Sequence, residues 1–283
     1  MVDSRPTVRR RRLATILIKY REEAGKSIDD AAARIGCHRT KINRIENARL
    51  GISVGELRDL MGFYGVGDAE LVEEMISLAR QGRAPGWVRR ASKARPSYSD
   101  LIGYEETTNY IRSYEQTLIT GLLQTPEYAR AVINAAQAAL EDDEVEALVT
   151  ARMERQKFLG GHKSPRLHVI QGEAALRLQV GGPEVMGQQL DHLAFIALRP
   201  WIDLQIIPDR AGAHAGLYGS FVIYGFPHPA FSDVVCVEHR TGTLYMETPE
   251  EIEEYTLVFD SLRSIALSPS DSLDLVAEIR KGL

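Results

Sequence analysis

The chain has 283 residues, of which 44% are hydrophobic and 26% are charged, a composition typical of globular protein and enough chain for two domains. No stretch approaches the roughly 20 apolar residues that cross a bilayer, and the basic N-terminus lacks the apolar region of a secretory signal, so we expect a cytoplasmic protein with no membrane partner. The net charge of −5 is divided unevenly, because residues 1–97 hold 20 Lys and Arg against 12 Asp and Glu, whereas residues 98–283 hold 14 against 27. Only the front of the chain is therefore predicted to bind a polyanion.

The first predicted helix spans Val8–Ala24, where apolar residues such as Leu13 and Leu17 recur at helical spacing. It opens with a run of arginines that includes Arg10 and Arg12. This run could be an arm that lies along phosphates or in a minor groove, or it could be only a solubilising start to the helix.

Residues 27–47 predict two short helices joined by a glycine. Ser27 and Asp30 form a capping box for the first helix, and Gly36 ends it because glycine readily takes the left-handed conformation. Ile42 and Ile45 give the second helix an inward face. The polar residues on or beside its outward face are His38, Arg39, Thr40, Lys41, Asn43, Arg44 and, in the following loop, Arg49.

This outward face has the chemistry that a major groove requires. Arginine can bind guanine through two hydrogen bonds, asparagine can pair with adenine, threonine can contact a base or a phosphate, and lysine can neutralise a phosphate. His38 could equally be a cap of the helix. The pattern predicts a helix-turn-helix that binds double-stranded DNA.

Two further helices are predicted after Ser53, which forms a capping box with Glu56, and after Asp68. Residues 9–80 then read as five helices, so we expect an all-α DNA-binding domain over residues 1–80. Residues 81–97 carry prolines, glycines and five basic residues but no acidic one, which is typical of a linker. Trp87 in this linker is expected to dock on the second domain.

The run Ala31–Gly36, followed by Ile42 and Ile45–Asn47, is similar to the phage-repressor-like, XRE-type class of helix-turn-helix regulators. The likeness covers roughly the first quarter of the chain. It implies a structural ion pair between Arg21, late in the helix before the motif, and Glu46, near the end of the recognition helix.

Residues 98–283 predict an α+β domain with a small, mostly antiparallel sheet and several helices. Helices are predicted at 101–116, 125–136, 142–159, 173–180, 183–198, 249–265 and 270–279, and strands at 167–170, 203–207, 220–225, 234–239 and 243–246.

Four motifs resemble the domain of unknown function that follows the helix-turn-helix in many actinobacterial regulators. They are GLLQTPEY at 121–128, GGP at 181–183, Gln189-Leu190 with His192-Leu193, and SP at 268–269. The likeness spans nearly all of residues 98–283. It implies a regulator that is sometimes encoded beside a small companion protein. We expect this domain to bind that companion or to sense a small-molecule ligand, and to build a homodimer.

The residues themselves give no sign of catalysis. No histidine has a second ligand at HExxH spacing, and the chain has no phosphate loop, no GxSxG and no GxGxxG after a strand. Cys37 and Cys236 lie far apart without CxxC spacing, so we expect reduced thiols. We therefore expect no catalytic residue, no metal and no cofactor.

The sequence favours a DNA-binding transcriptional regulator that is not an enzyme. Two alternatives stay open. One is an antitoxin-like autoregulator paired with a small companion protein, and the other is an enzyme that carries a DNA-targeting module.

Overall fold

The computed structural model describes residues 8–80, 98–136, 140–161, 164–228, 230–240 and 242–283. These residues divide into two compact units, the first made of residues 8–80 with 99–104, 227, 228, 230 and 231, and the second made of the other described residues. The predicted linker 81–97, with Trp87, lies outside the described residues.

Short helices fill residues 8–80, and polar caps set where most of them begin. The helices are α1 (Val8–Glu23), α2 (Ile28–Arg34), α3 (Arg39–Glu46), α4 (Val54–Phe63) and α5 (Ala69–Ala79). Ser27 and Ser53 each form the predicted capping box, and Asp68 accepts hydrogen bonds from the first backbone amides of α5. These caps satisfy amide groups that the first turn of a helix leaves unpaired, which confirms the three predicted helix starts.

The turn between α2 and α3 depends on the conformation of Gly36. Its φ is +64°, a left-handed value that favours glycine, and the amide of Cys37 then donates to the carbonyl of Ala32 over 2.9 Å. A Cβ on Gly36 would meet nothing within 4 Å, so backbone conformation rather than space selects glycine here. The turn lets α2 and α3 pack against each other, and α1 packs against α3 and α5.

The remainder of the described chain alternates helices with the strands of one sheet. Its helices are α6 (Tyr98–Glu105), α7 (Pro126–Ala136), α8 (Asp142–Gln156), α9 (Glu173–Arg177), α10 (Pro183–Ile196), α11 (Pro249–Ile265) and α12 (Pro269–Lys281). Its strands are β1 (Tyr110–Glu115), β2 (Arg166–Gly172), β3 (Ile202–Ile207), β4 (Phe221–Gly225), β5 (Val234–His239) and β6 (Gly242–Met246).

The sheet in the described residues has six strands in the order β3-β2-β1-β4-β5-β6. Strand β1 runs parallel to β2, and β2 runs parallel to β3, whereas the β1–β4, β4–β5 and β5–β6 pairs are antiparallel. The expectation of a small, mostly antiparallel sheet therefore needs correction, because the sheet has six strands and is mixed, with two of its five strand pairs parallel. Long helical connections between β1, β2 and β3 are what allow parallel neighbours.

The predicted helix over residues 101–116 is also wrong. Helix α6 ends at Glu105, and residues 110–115 form β1, which lies between β2 and β4. Tyr110 and Tyr114 are four residues apart, a spacing that also suits one face of a helix. Only pairing with strands far along the chain, such as Ile111 opposite Leu167, decides for the extended conformation.

One face of the sheet packs against α11. Tyr114, Phe221 and Ile223 from the sheet share a buried cluster with Phe259 and Leu262 of this helix. In this cluster the Phe221 and Phe259 rings lie 6.4 Å apart at 76°, a T-shaped contact that aromatic rings favour.

Buried amides hold the GLLQTPEY segment in place. Gln189 is fully buried, and its Oε1 accepts from the amide of Thr125 over 2.7 Å while its Nε2 donates to the carbonyl of Leu123 over 2.8 Å. Gln124, within the segment, donates to the carbonyl of Ile119 over 2.5 Å. A buried backbone without such partners would be costly, which gives these glutamines a structural role.

In the part of the chain described, none of the helices is both long enough and apolar enough to cross a membrane.

Candidate nucleic-acid interface

Helix α3 presents one side to the interior and the opposite side to solvent. Ile42 and Ile45 are 1% and 2% exposed, and their spacing of three residues places both on the inward face. Arg39, Asn43 and Arg44 are exposed on the other side. The apolar contacts thus fix which side chains the helix can offer to a partner.

His38 and Thr40 form the start of this helix. The Nδ1 of His38 accepts from the backbone amide of Thr40 over 3.3 Å and lies 2.8 Å from its hydroxyl oxygen. His38 is therefore the N-cap of α3, which was one of its two predicted roles, the other being a DNA contact. Both side chains remain exposed, so capping leaves them at the surface.

Arg39 is held loosely by an acidic residue of α2. Its Nη1 lies 3.4 Å from an oxygen of Asp29, and the two side chains are 59% and 65% exposed. A pair this exposed is worth at most about 1 kcal/mol, so a phosphate or a base can replace Asp29 as the partner of Arg39.

Arg44 and Arg49 lie at the other end of the helix, and both are exposed. The carbonyl of Arg44 accepts from the amide of Arg49 over 2.8 Å. This closure needs the left-handed conformation of Ala48, whose φ is +57°. The tight turn keeps Arg49 beside the end of α3.

Lys41 is partly exposed and pairs with a residue of the next helix. Its ammonium pairs with the carboxylate of Glu56, the residue that also completes the capping box of α4. The hydrogen bond from Lys41 holds the pKa of Glu56 below its usual value. The Lys41 ammonium is less exposed than the Arg39 guanidinium and already has an anionic partner, so it is less available to a phosphate than Arg39 is. The pair also ties α3 to α4.

The arginine run is helical from Val8 onward, which matches the start of a helix rather than an extended arm. Arg10 is half-buried in the first turns. Arg12 is only 6% exposed and interacts electrostatically with the half-buried Glu74 of α5. Against the prediction of a DNA contact, Arg12 lies in the interior, because its position one turn before the buried Ile16 puts it on the inward face of α1.

The structure brings Arg21 and Glu46 together. Nε and Nη2 of Arg21 donate to the two oxygens of Glu46 over 2.7 and 3.0 Å, and Nη1 donates to the carbonyl of Lys26 over 3.0 Å. The two side chains are 11% and 7% exposed. Tyr64 lies nearby, and burial raises the pKa of its phenol to about 12. This bidentate pair joins α1 to the end of α3.

The sequence did not predict which residues contact the polar side chains of α3. Asp29 contacts Arg39, Glu56 contacts Lys41, and Asn47 donates to Asn43. The spacing of four between Asn43 and Asn47 is a signal that could have revealed their contact. The other two contacts join different helices, so no spacing within one helix predicts them.

Two short helices joined at Gly36, with the second helix held by its isoleucines and by the Arg21–Glu46 pair, define a helix-turn-helix protein. Residues 12–75 match the helix-turn-helix domain family, which points to a DNA-binding regulator. Residues 98–278 match the Domain of unknown function (DUF5753), and the chain belongs to this family. Searches of the curated proteins and of the solved structures found no match.

Proposed function

We propose that this protein is a sequence-specific transcriptional regulator of the phage-repressor-like class, in which α3 enters the major groove of DNA. The observation that carries the proposal is that Arg39, Asn43 and Arg44 are exposed on one face of α3, while the isoleucines on its other face are buried in the core. Arginine and asparagine are the side chains that read base edges most directly. A regulator of this kind acts in the cytoplasm, where bacterial chromosomal DNA lies.

The division of charge supports this assignment of roles. Residues 1–97 carry an excess of basic side chains and residues 98–283 an excess of acidic ones. Because phosphates attract the first and repel the second, the helix-turn-helix binds DNA while the acidic part stays clear of it. We assign the second part the task of binding a ligand or a small companion protein, without catalysis.

A homodimer completes the proposal. One small recognition helix makes few contacts, whereas two helices related by a two-fold axis read half-sites about 34 Å apart, near one turn of DNA. Residues 98–283 supply the larger apolar surface for pairing. Light scattering should give twice the mass of one chain for the full-length protein, and protection of a single half-site by a monomer would contradict the dimer.

Selection of bound duplexes from a random pool by the full-length protein tests DNA reading directly. Arg39→Ala and Arg44→Ala should each weaken binding to the selected duplex by roughly 1–3 kcal/mol and relax the preference at one position. Lys41→Ala is the matched control, since its ammonium pairs with Glu56. It should change affinity by less than either arginine variant.

The outcome that contradicts the proposed face is specific. If both arginine variants bind the selected duplex as tightly and as selectively as the wild type, α3 does not read bases. If no duplex is enriched by the wild-type protein at any salt concentration, the protein is not a sequence-specific DNA-binding regulator.

A further inference from the structure

Two asparagine amides meet near the C-terminal end of α3. The side-chain nitrogen of Asn47 donates to the backbone carbonyl of Asn43 over 2.8 Å and to the Oδ1 of Asn43 over 3.0 Å. Both residues are exposed, and Asn43 belongs to the face assigned to the groove. The contact determines which end of the Asn43 amide points outward.

The orientation of both amides follows from the backbone. A carbonyl oxygen can only accept, so Asn47 must turn its nitrogen toward the carbonyl of Asn43. One of its two N–H groups then remains, and it points at the side chain of Asn43. That side chain must offer its oxygen, because two NH₂ groups cannot bond to each other in this way. The Nδ2 of Asn43, with its two donors, consequently faces away from Asn47.

This orientation changes what Asn43 can recognise. An asparagine with both groups available pairs with adenine by accepting from N6 and donating to N7. The bond from Asn47 directs Oδ1 of Asn43 toward Asn47 and leaves the two donors of Nδ2 on the outward side. Guanine presents two acceptors, N7 and O6, in the major groove, whereas cytosine presents only the N4 donor.

We propose that Asn47 is a positioning residue that fixes the amide of Asn43 so that Asn43 reads guanine in preference to adenine. The inference rests on the proposed function, in which α3 lies in the major groove. It replaces the general expectation that this asparagine pairs with adenine, and it assigns a role to a residue that touches no base itself.

The test compares base preferences of full-length wild type, Asn43→Ala and Asn47→Ala, each selected against the same random duplex pool. The position that loses its preference in Asn43→Ala should favour guanine over adenine roughly tenfold in the wild type. In Asn47→Ala that position should shift toward adenine, because the amide of Asn43 can then turn its Oδ1 toward the base. Preferences at the other positions should stay unchanged. The control Asp59→Ala, at an exposed site on α4, should alter none of them.

A purely structural role for Asn47 gives a different result. Loss of its bond to the Asn43 carbonyl alone would lower the melting temperature and weaken every sequence equally, with guanine still preferred, and this result would overturn the inference. A wild-type preference for adenine at the Asn43 position would overturn it as well.

Asn47→Asp provides a second variant that keeps the side-chain length. Aspartate cannot donate, so it should attract the Nδ2 of Asn43, turn Oδ1 outward and also abolish the preference for guanine. Retention of that preference in a folded Asn47→Asp protein contradicts the inference. Failure of the wild type to select any duplex contradicts the proposed function instead, so the two failures are distinguishable.

Discussion

Removal of Arg21 should destabilise the helix-turn-helix more than any exposed charge change in the same unit. The guanidinium makes two hydrogen bonds to Glu46 and one to the carbonyl of Lys26. Arg21→Ala therefore leaves the Glu46 carboxylate, which is 7% exposed, without its cationic partner. An uncompensated buried charge of this kind typically costs 3–5 kcal/mol, and the slight remaining exposure places our expectation at about 3 kcal/mol.

The structure contains a matched control in the Arg58–Glu73 pair, which joins α4 to α5. Its atoms lie 3.2 Å apart, but the two side chains are 56% and 62% exposed. Solvent screens such a pair, so Arg58→Ala should cost less than about 1 kcal/mol. Both variants remove an arginine that bridges two helices, so the difference between them measures what burial and the additional hydrogen bonds of Arg21 contribute.

Urea unfolding followed by far-ultraviolet circular dichroism measures both free energies. Tryptophan fluorescence would not report on residues 8–80, because both tryptophans of the chain lie outside them. Hydrogen exchange in α1 and α3 therefore serves as the local measurement. Arg21→Ala should speed exchange in both helices. A double-mutant cycle with Glu46→Ala that shows coupling below about 0.5 kcal/mol would refute the reasoning, because the two charges would then not depend on each other.

Three further predictions concern pH and close packing. Burial raises the pKa of Glu115 to about 7. The stability that this carboxyl group contributes is therefore fully present below its unfolded pKa of roughly 4.3 and is lost as pH rises through 7. Urea titrations at pH 5 and pH 8 should show that Glu115→Gln removes about 2–3 kcal/mol of this pH dependence. The hydrogen bond from Lys41, with further ones from Ser53, lowers the pKa of Glu56, so the contribution of this carboxylate is present above roughly 4.3 and is lost as pH falls. Lys41→Met should reduce this acid-side loss, which we expect to stay below about 1 kcal/mol because the pair is partly exposed. Gly172→Ala would place a Cβ 2.7 Å from the carbonyl oxygen of Gln116 and should lower the melting temperature by several degrees, whereas Gly62→Ala, in α4 with nothing within 4 Å, should leave it unchanged or raise it.

The sequence by itself determined the start of each short helix after α1 in the helix-turn-helix region. Ser27, Ser53 and Asp68 accept hydrogen bonds from amides at most three residues ahead, and His38 does so for α3. Interactions over so short a distance along the chain involve only neighbouring residues, so the sequence alone is enough to predict them. For the same reason, the inward spacing of the isoleucines in α3 was enough to predict which of its side chains face solvent.

Tertiary structure decided the conformation of residues 110–115 and the availability of the charged side chains. Tyrosines four residues apart suit a helix, and β1 becomes a strand because β2 and β4 hydrogen-bond to it from positions more than 50 and 100 residues away. Lys41 and Arg12 have the chemistry of DNA-binding residues, but Glu56 engages the first and the interior of the fold encloses the second. A residue's type specifies what it can bind, whereas its neighbours in space determine whether that capacity is already used.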